Sequence, residues 1–409
     1  MFGRTMLKKY FVDLHVHIGR TISGFPVKVT AARSQTIPGV LREAAVNKGL
    51  DILGIVDAAC PRLCAELEEM AADGIIRELA GGGLRYDDRL TLIPGAEMEL
   101  TEDNGKCAHW LAYFPTLAEL RSFSKFLAEQ VTNPELSTQR CHLPARAILD
   151  EVVERSGIFM PAHAFTPHKG VYGQCTMRIK ELLGDNNFAK ICALELGLSA
   201  DTILADHLTE LAPLTFLSNS DAHSLKNLGR EYNVLLLAEP SFEELLMALH
   251  CVGERRVLAN YGLDPRLGKY HRTFCLTCGS IAGDTPPVTA CPACGSVKIV
   301  KGVLDRIQEI RDQDGQLHSL KRPPYHYQVP LLFLPGVGPK TVSKLLEQFG
   351  TEMNVLHSVS YQDLVKVVGE KVAKVIQDAR QGKLVLMAGG GGTYGKVAGR
   401  QGGDAGDRE

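Results

Sequence analysis

The sequence predicts an α/β protein built as a barrel of strands and helices followed by two small modules, and three observations carry that prediction. Between residues 10 and 262 short apolar runs alternate with helix-like stretches, the pattern of repeated strand–helix units around a sheet. Residues 271–302 hold two tight cysteine pairs. Residues 329–388 read as helical around a Gly-Pro hinge.

The apolar runs, in order, are YFVDLHVH, DILGIVD, LTLIPGAEME, AHWLAYF, GIFMPAH, ICALELG, LTFLSNSDAH and YNVLLLA. Helix-like segments such as PGVLREAAVNKG, PARAILDEVVERSG and SFEELLMALHCVG lie between several of them. Seven or more strands in one such domain favour a closed barrel over an open sheet. The expected organisation is a barrel over 1–262, a cysteine module over 263–302 and a polar connector over 303–328. A helical domain then spans 329–388, and a Gly-rich tail over 389–409 has too little to bury and is expected to be disordered.

Composition bounds the class. No apolar run approaches the roughly 20 residues a membrane span needs, and MFGRTMLKKYFVDLHVH lacks the apolar core of a secretory signal. The expectation is a soluble, cytoplasmic protein with no membrane partner. The 11 cysteines suit reduced thiols better than a disulfide framework in a chain this long. The net charge of -2 hides an asymmetry, because residues 263–388 hold 16 Lys and Arg against 11 Asp and Glu, leaving the first 262 residues acidic. An acidic barrel repels phosphate unless bound cations neutralise it, whereas a basic C-terminal part suits a nucleic acid backbone. Solvated faces without any partner are the alternative reading of such a difference.

Most of the apolar runs end, or turn, on a potential metal ligand: His15 and His17, Asp57, Glu97, His109, His163, and Asp221 with His223. In barrels of parallel strands the C-terminal strand ends converge on one mouth, so these residues can meet although they are far apart in sequence. Alternation puts His15 and His17 on one face of a strand. A mixed nitrogen and oxygen set suits zinc, manganese or iron better than magnesium. Two or three such cations would activate a water and hold a phosphodiester during in-line attack, with Asp221, Glu97 and His163 as the candidates nearest the chemistry. Asp13, two residues before His15, is placed to orient an imidazole from behind. His142, His207 and His250 fall within or beside helical stretches and read as ordinary polar residues.

The ordered motifs DLHVH, the aspartate after the second run, PGAEME, AHWLAYF, PAHAF and SDAH resemble the polymerase and histidinol phosphatase (PHP) superfamily of phosphoesterases over about 250 residues. That resemblance implies a distorted (β/α)7-type barrel with a three-metal centre, in which Glu97 bridges two ions. One departure stands out: the second motif of the superfamily reads Asp-His, and here it is Asp57-Ala58. His168 and Glu195 are the residues that could compensate.

Cys275-Leu-Thr-Cys278 and Cys291-Pro-Ala-Cys294 form two C-x2-C knuckles, each followed by glycine, the spacing of a zinc ribbon with one structural zinc. PLLFLPGVGPKTVSKLLEQFG resembles a helix-hairpin-helix: Gly336 and Gly338 form the turn, and Lys340, Thr341 and Lys344 meet the DNA backbone. The stretch YQDLVKVVGEKVAKVIQDA, with Gly369 and Lys371, looks like a weaker second copy. A PHP barrel, a zinc ribbon and a helix-hairpin-helix in this order resemble the endonuclease Q family of DNA repair nucleases. The resemblance implies a nick 5′ to a deaminated base (uracil, hypoxanthine, xanthine) or an abasic site in damaged duplex or single-stranded DNA, with a repair or replication protein as a further partner. The loops TPHKGVYGQC and GRTISGFPVK are candidates to line the base pocket. Three alternatives remain open at this point: a small-molecule phosphatase, a general abasic-site endonuclease or exonuclease of the same superfamily, and a DNA-binding accessory protein with an inactive barrel.

Overall fold

The computed structural model describes residues 6–313, 322–387, 389 and 391–397. Nine strands enclose the site: β1 (Lys8–Val16), β2 (Ile52–Ile55), β3 (Leu90–Thr101), β4 (Cys107–Tyr113), β5 (Ile158–Pro161), β6 (Ala193–Glu195), β7 (Thr215–Leu217), β8 (Tyr232–Leu237) and β9 (Arg256–Gly262). Each of the eight apolar runs forms one of them, at least in part. The hydrogen-bonded order is β9-β8-β1-β2-β3-β4-β5, with β6 and β7 paired to one another.

The sheet is mixed, which corrects the expectation of repeated parallel units. β1 pairs in parallel with β2, β2 with β3 and β6 with β7, but β1–β8, β8–β9, β3–β4 and β4–β5 are antiparallel. The physical reason lies in the connections: the loop from β3 to β4 is far shorter than a parallel crossover requires. β6 follows β5 and packs beside it, and β7 lies against β9. Side chains close the remaining gap. Buried Asn233 donates to the carbonyl of Ser218 at 2.9 Å and accepts from its N–H at 2.9 Å, and Asn260 donates to the Phe216 carbonyl at 2.9 Å and to Asn233 at 2.8 Å. Two amides thus do the work of a missing strand pair, which is what distorts the barrel.

Helices cover the outside with one apolar face each. The Pro61–Ala72 helix buries Leu63, Cys64, Leu67 and Met70, and the Ala145–Glu154 helix buries Ile148, Leu149 and Val152, at the three-to-four-residue spacing of an amphipathic helix. These side chains and the strand interiors form one large core that includes Trp110, Phe114, Phe123 and Phe216. Among the described residues no helix is long and apolar enough to cross a membrane.

Two expectations beyond the barrel change. The supposed polar connector contains the helix Val303–Ile310 and the strand Tyr325–Tyr327, which pairs in parallel with β9; residues 314–321 lie outside the described residues. The helix earns its place through Asp305, fully buried, which accepts from the N–H groups of Thr273 (3.1 Å) and Val288 (3.0 Å) and so ties the cysteine module to the helix. The tail is not free of structure either. Gly389 donates to the Arg266 carbonyl at 2.7 Å and Gly395 to that of Leu267 at 2.9 Å, because glycine lets the two backbones approach; residues 398–409 lie outside the described residues.

The helices Pro339–Phe349, Glu352–His357 and Tyr361–Arg380 pack around Val342, Leu345, Val355, Leu364, Ala373 and Ile376. They are moored to the barrel by a buried ion pair, Lys48 to Glu352 at 2.8 Å, and by a 2.7 Å hydrogen bond between Tyr232 and His357.

Candidate metal centre

The strands gather six of the eight predicted ligands into two donor clusters. His15, in β1, and His17, just past it, are fully buried and project to the same side. Their Nε2 atoms lie 3.3 Å apart, and each faces Asp221 Oδ1, at 3.6 Å from His15 and 3.4 Å from His17. His15, His17 and Asp221 form one cluster whose donor atoms all lie within 4.8 Å of one another. Glu97, His109 and His163 form a second. In that group Glu97 Oε1 is 2.9 Å from His109 Nδ1 and 3.3 Å from His163 Nε2, while Oε2 is 3.5 Å from His17. Glu97 therefore faces both clusters. His109 comes from the start of an antiparallel strand and not from a C-terminal strand end, so the parallel-barrel rule alone misplaces it.

His15 and His17 are each held from behind by a carboxylate. Glu195, at the end of β6 and fully buried, accepts from His15 Nδ1 at 2.9 Å and from Asn219 Nδ2 at 3.0 Å, and its other oxygen takes the His163 N–H at 3.0 Å. Asp57 accepts from His17 Nδ1 at 3.0 Å and from the Ile18 N–H at 2.5 Å, and it also bonds the Ser137 hydroxyl. Asp57 thus lies against His17 Nδ1 and is in neither donor cluster. A carboxylate on Nδ1 fixes the tautomer that leaves Nε2 free for a cation. His223 also stands outside the two clusters, with its ring 4.4 Å from that of His17 and its Nδ1 3.1 Å from the Asp221 carbonyl. Asp13 does not orient an imidazole. It accepts backbone N–H groups from His15 (3.3 Å), Ser220 (3.0 Å) and Gly229 (3.0 Å), and so joins β1 to the Asp221 loop.

The electrostatics suit bound cations. Burial opposes charge on Glu97, yet the His109 imidazole and the Lys28 ammonium hold its carboxyl well below the usual range. Burial likewise opposes charge on His15, and the Glu195 and Asp221 carboxylates outweigh it, pushing the imidazole up to about 10. Burial and the neighbouring His17 push His223 down to about 4. His163 and Asp221 occupy left-handed backbone with φ of 28° and 45°, as do Thr138 (52°) and Lys169 (67°) beside them, and strain of this kind persists where the surroundings over-determine a functional geometry. Two clusters of two histidines and one carboxylate match the donor chemistry of zinc, manganese or iron.

A cavity of about 510 Å³ opens beside the centre, lined by His109, His163, Asp221 and His223 together with Thr166, His168, Lys169, Arg230, Tyr270 and Tyr394. Of the two predicted pocket loops, TPHKGVYGQC lines it through Thr166, His168 and Lys169. GRTISGFPVK instead contributes Lys28, whose ammonium lies 2.9 Å from Glu97 Oε2. No motif flagged Lys28, Ser137 or Thr138. Glu195 carries the same sequence signal as the other carboxylates of the centre, an acidic residue near the end of an apolar run.

The four cysteines meet as predicted. Cys275 and Cys294 sulfurs are 3.7 Å apart and those of Cys278 and Cys291 3.5 Å, close to the roughly 3.8 Å separation of thiolates around a tetrahedral zinc with about 2.3 Å bonds. The strands Phe274–Cys275 and Ile299–Val300 pair antiparallel beneath them. In the C-terminal helices, Gly336 takes φ 80° in the turn, and Gly338 caps Pro339–Phe349, accepting the Thr341 and Val342 N–H groups at 2.9 and 3.0 Å. Lys340 and Lys344 are exposed on that helix and Thr341 half-buried. Gly369, at φ 78° and ψ 163°, breaks Tyr361–Arg380 in two, at the glycine of the weaker second copy read from the sequence.

Comparison with known proteins agrees with this architecture. Residues 204–251 match the family described as PHP-associated. The chain is 46% identical over 396 residues to the uncharacterized protein YqxK of Bacillus subtilis, covering 96% of this chain and 100% of the relative. The crystal structure of the lesion-specific endonuclease PfuEndoQ from Pyrococcus furiosus superposes with a TM-score of 0.80 at 32% identity, covering 95% of both chains. A structure of endonuclease Q with a 27-mer duplex substrate carrying an abasic lesion at the active site superposes with a TM-score of 0.79 at 32% identity, covering 95% of this chain and 96% of the other. At this identity and coverage, with the donor clusters and cysteine site in place, the chain belongs to the endonuclease Q family of PHP-type, metal-dependent endonucleases.

Proposed function

We propose that the protein hydrolyses the DNA phosphodiester on the 5′ side of a deaminated base (uracil, hypoxanthine or xanthine) or of an abasic site, leaving 3′-hydroxyl and 5′-phosphate ends. The observation that carries the reading is the convergence of two histidine and carboxylate clusters beside an open cavity, in a chain similar to an endonuclease Q that holds an abasic duplex at its active site.

In this reading His15, His17 and Asp221 hold one divalent ion and Glu97, His109 and His163 another, with zinc or manganese the best match to the donors. Such ions, when bound, supply a water nucleophilic near neutral pH and positive charge for the phosphodiester. The chain's own residues do the rest. Glu195 and Asp57 fix the His15 and His17 tautomers, and Glu97 ties the two clusters together. The cavity receives the nucleotide lifted out of the stack, a step that costs least at damaged or missing bases. Tyr270 and His168, with ring centroids 5.4 Å apart, offer it aromatic surface, and Arg230 and Lys169 line the same walls. The cysteine module would hold a structural zinc, and Gly336, Gly338, Lys340, Thr341 and Lys344 would grip backbone phosphates without reading bases.

The test is a panel of end-labelled duplexes bearing an abasic site, uracil, hypoxanthine or no lesion, incubated with the protein and manganese or zinc. Nicking immediately 5′ to the lesion, with the undamaged duplex intact, is expected. Equal cleavage of undamaged DNA would replace the reading by a general nuclease, and cleavage of abasic DNA alone by an abasic-site endonuclease.

A further inference from the structure

The PHP resemblance implies a third ion and a histidine after Asp57; among the described residues no third cluster of three donors forms in the barrel. Residue 58 is a fully buried alanine. Both oxygens of Asp57 are taken, by His17 Nδ1, the Ile18 N–H and the Ser137 hydroxyl. The Glu97 oxygen on that side is taken as well. Oε2 accepts from Lys28 Nζ at 2.9 Å and from the Thr138 hydroxyl at 2.8 Å, and Lys28 and Thr138 are themselves hydrogen-bonded. The Lys28 side chain is only 12% exposed, and it is held in place because its backbone N–H bonds the Ile18 carbonyl at 3.0 Å, directly after the β1 histidines.

We propose that the Lys28 ammonium is a built-in cation of the centre, held on Glu97 Oε2 and taking the part of the third ion that the resemblance implies. A monovalent ammonium cannot activate a water as a metal does, so its part is positioning. It neutralises Glu97 Oε2 and, with Thr138, turns Oε1 toward His109 and His163. It also keeps a cation among the carboxylates Asp57, Glu97, Glu195 and Asp221 that no chelator or competing metal can remove. The alanine at 58 fits the same logic, since it brings no donor atom to the centre. The proposal rests on reading the two donor clusters as metal sites.

The experiment is elemental analysis of the intact protein equilibrated with excess zinc, beside cleavage of an abasic duplex. Wild type is expected to saturate at about three zinc ions per chain, one on the four cysteines and two in the barrel. Lys28→Arg keeps that stoichiometry. Lys28→Met loses roughly tenfold or more in cleavage, the scale of an outer-shell partner, and in combination with Ala58→His it gains one further barrel ion. A wild-type protein that binds a third barrel ion with Lys28 in place would overturn the proposal, and this measurement needs no variant. So would a Lys28→Met protein with unchanged cleavage, or a double variant that gains no ion. No barrel metal at all would instead bring down the reading of the donor clusters, and the proposal with it.

Discussion

Replacing Glu195 by glutamine tests how the centre is assembled, because this one carboxylate reaches both donor clusters. It is fully buried and accepts three hydrogen bonds, from His15 Nδ1 (2.9 Å), Asn219 Nδ2 (3.0 Å) and the His163 N–H (3.0 Å). Glutamine keeps the shape but has one acceptor. If its oxygen keeps the His163 N–H, its amide group meets the Asn219 amide and His15 Nδ1. His15 must then accept at Nδ1 and carry its proton on Nε2, the atom that faces Asp221. Losing a partner of this kind typically costs 10–100-fold in metal affinity, about 1.4–2.7 kcal/mol. The assay is cleavage of an abasic duplex by metal-stripped, ribbon-reloaded protein across a manganese titration. Glu195→Gln should move the manganese midpoint up by roughly 10–100-fold while the rate at saturating metal returns to near wild type. An unchanged midpoint would refute the tautomer argument, and an unchanged midpoint with a lower saturating rate would place Glu195 on the substrate.

Other perturbations follow from the same geometry. Glu231 is fully buried, its Oε1 accepts the Leu263 N–H at 2.7 Å, and burial pushes its carboxyl up to about 8. The folded state thus holds a proton that the unfolded chain releases near 4.5, so this contribution to stability is complete below that pH and disappears as pH rises to about 8. The loss is up to about 5 kcal/mol. Glu231→Gln should flatten the fall in melting temperature between pH 5.5 and 9, and a parallel fall in both proteins would dismiss the assignment. Lys48→Met leaves the buried Glu352 without its partner and should destabilise the protein by about 3–5 kcal/mol in denaturant melts; a loss below about 1 kcal/mol would mean the ion pair does not moor the helical domain. Changing Lys340 and Lys344 to glutamine should weaken binding to any duplex and flatten the dependence of log affinity on log salt by about one per lysine that meets a phosphate. An unaltered slope would move the DNA contact elsewhere.

The legible part of this protein is what repeats or is spaced. The apolar runs gave the strands, and histidines two apart on β1 gave a shared face, because alternation follows from backbone geometry alone. Two C-x2-C knuckles define a tetrahedral site without help from the rest of the chain, and the Gly336 and Gly369 turns were visible as glycine-centred breaks. Strand direction was not legible: periodicity is the same for parallel and antiparallel pairing, and only the short β3–β4 connection distinguished them. Roles within the centre were also hidden. Asp57 and Glu195 look like ligands in sequence, and which way each carboxylate faces depends on the Ile18, Ser137, Asn219 and His163 groups that hold it. Lys28 sits in an irregular loop with no period to betray it, and the order in residues 303–310, 389 and 391–397 comes from partners, such as Thr273 and Leu267, that are distant in sequence or belong to another element.

The central claim is that cleavage runs through the donors gathered around Glu97 and Asp221, and Asp221→Asn examines it most directly. Asp221 Oδ1 is shared among His15, His17 and His223 at 3.4–3.6 Å, so the amide removes the charge while keeping the shape. Single-turnover nicking of an abasic duplex should fall by more than about 100-fold, beyond the loss expected for an outer-shell partner, with affinity for the same duplex within a few-fold of wild type. A variant that still nicks at close to the wild-type rate would contradict the account.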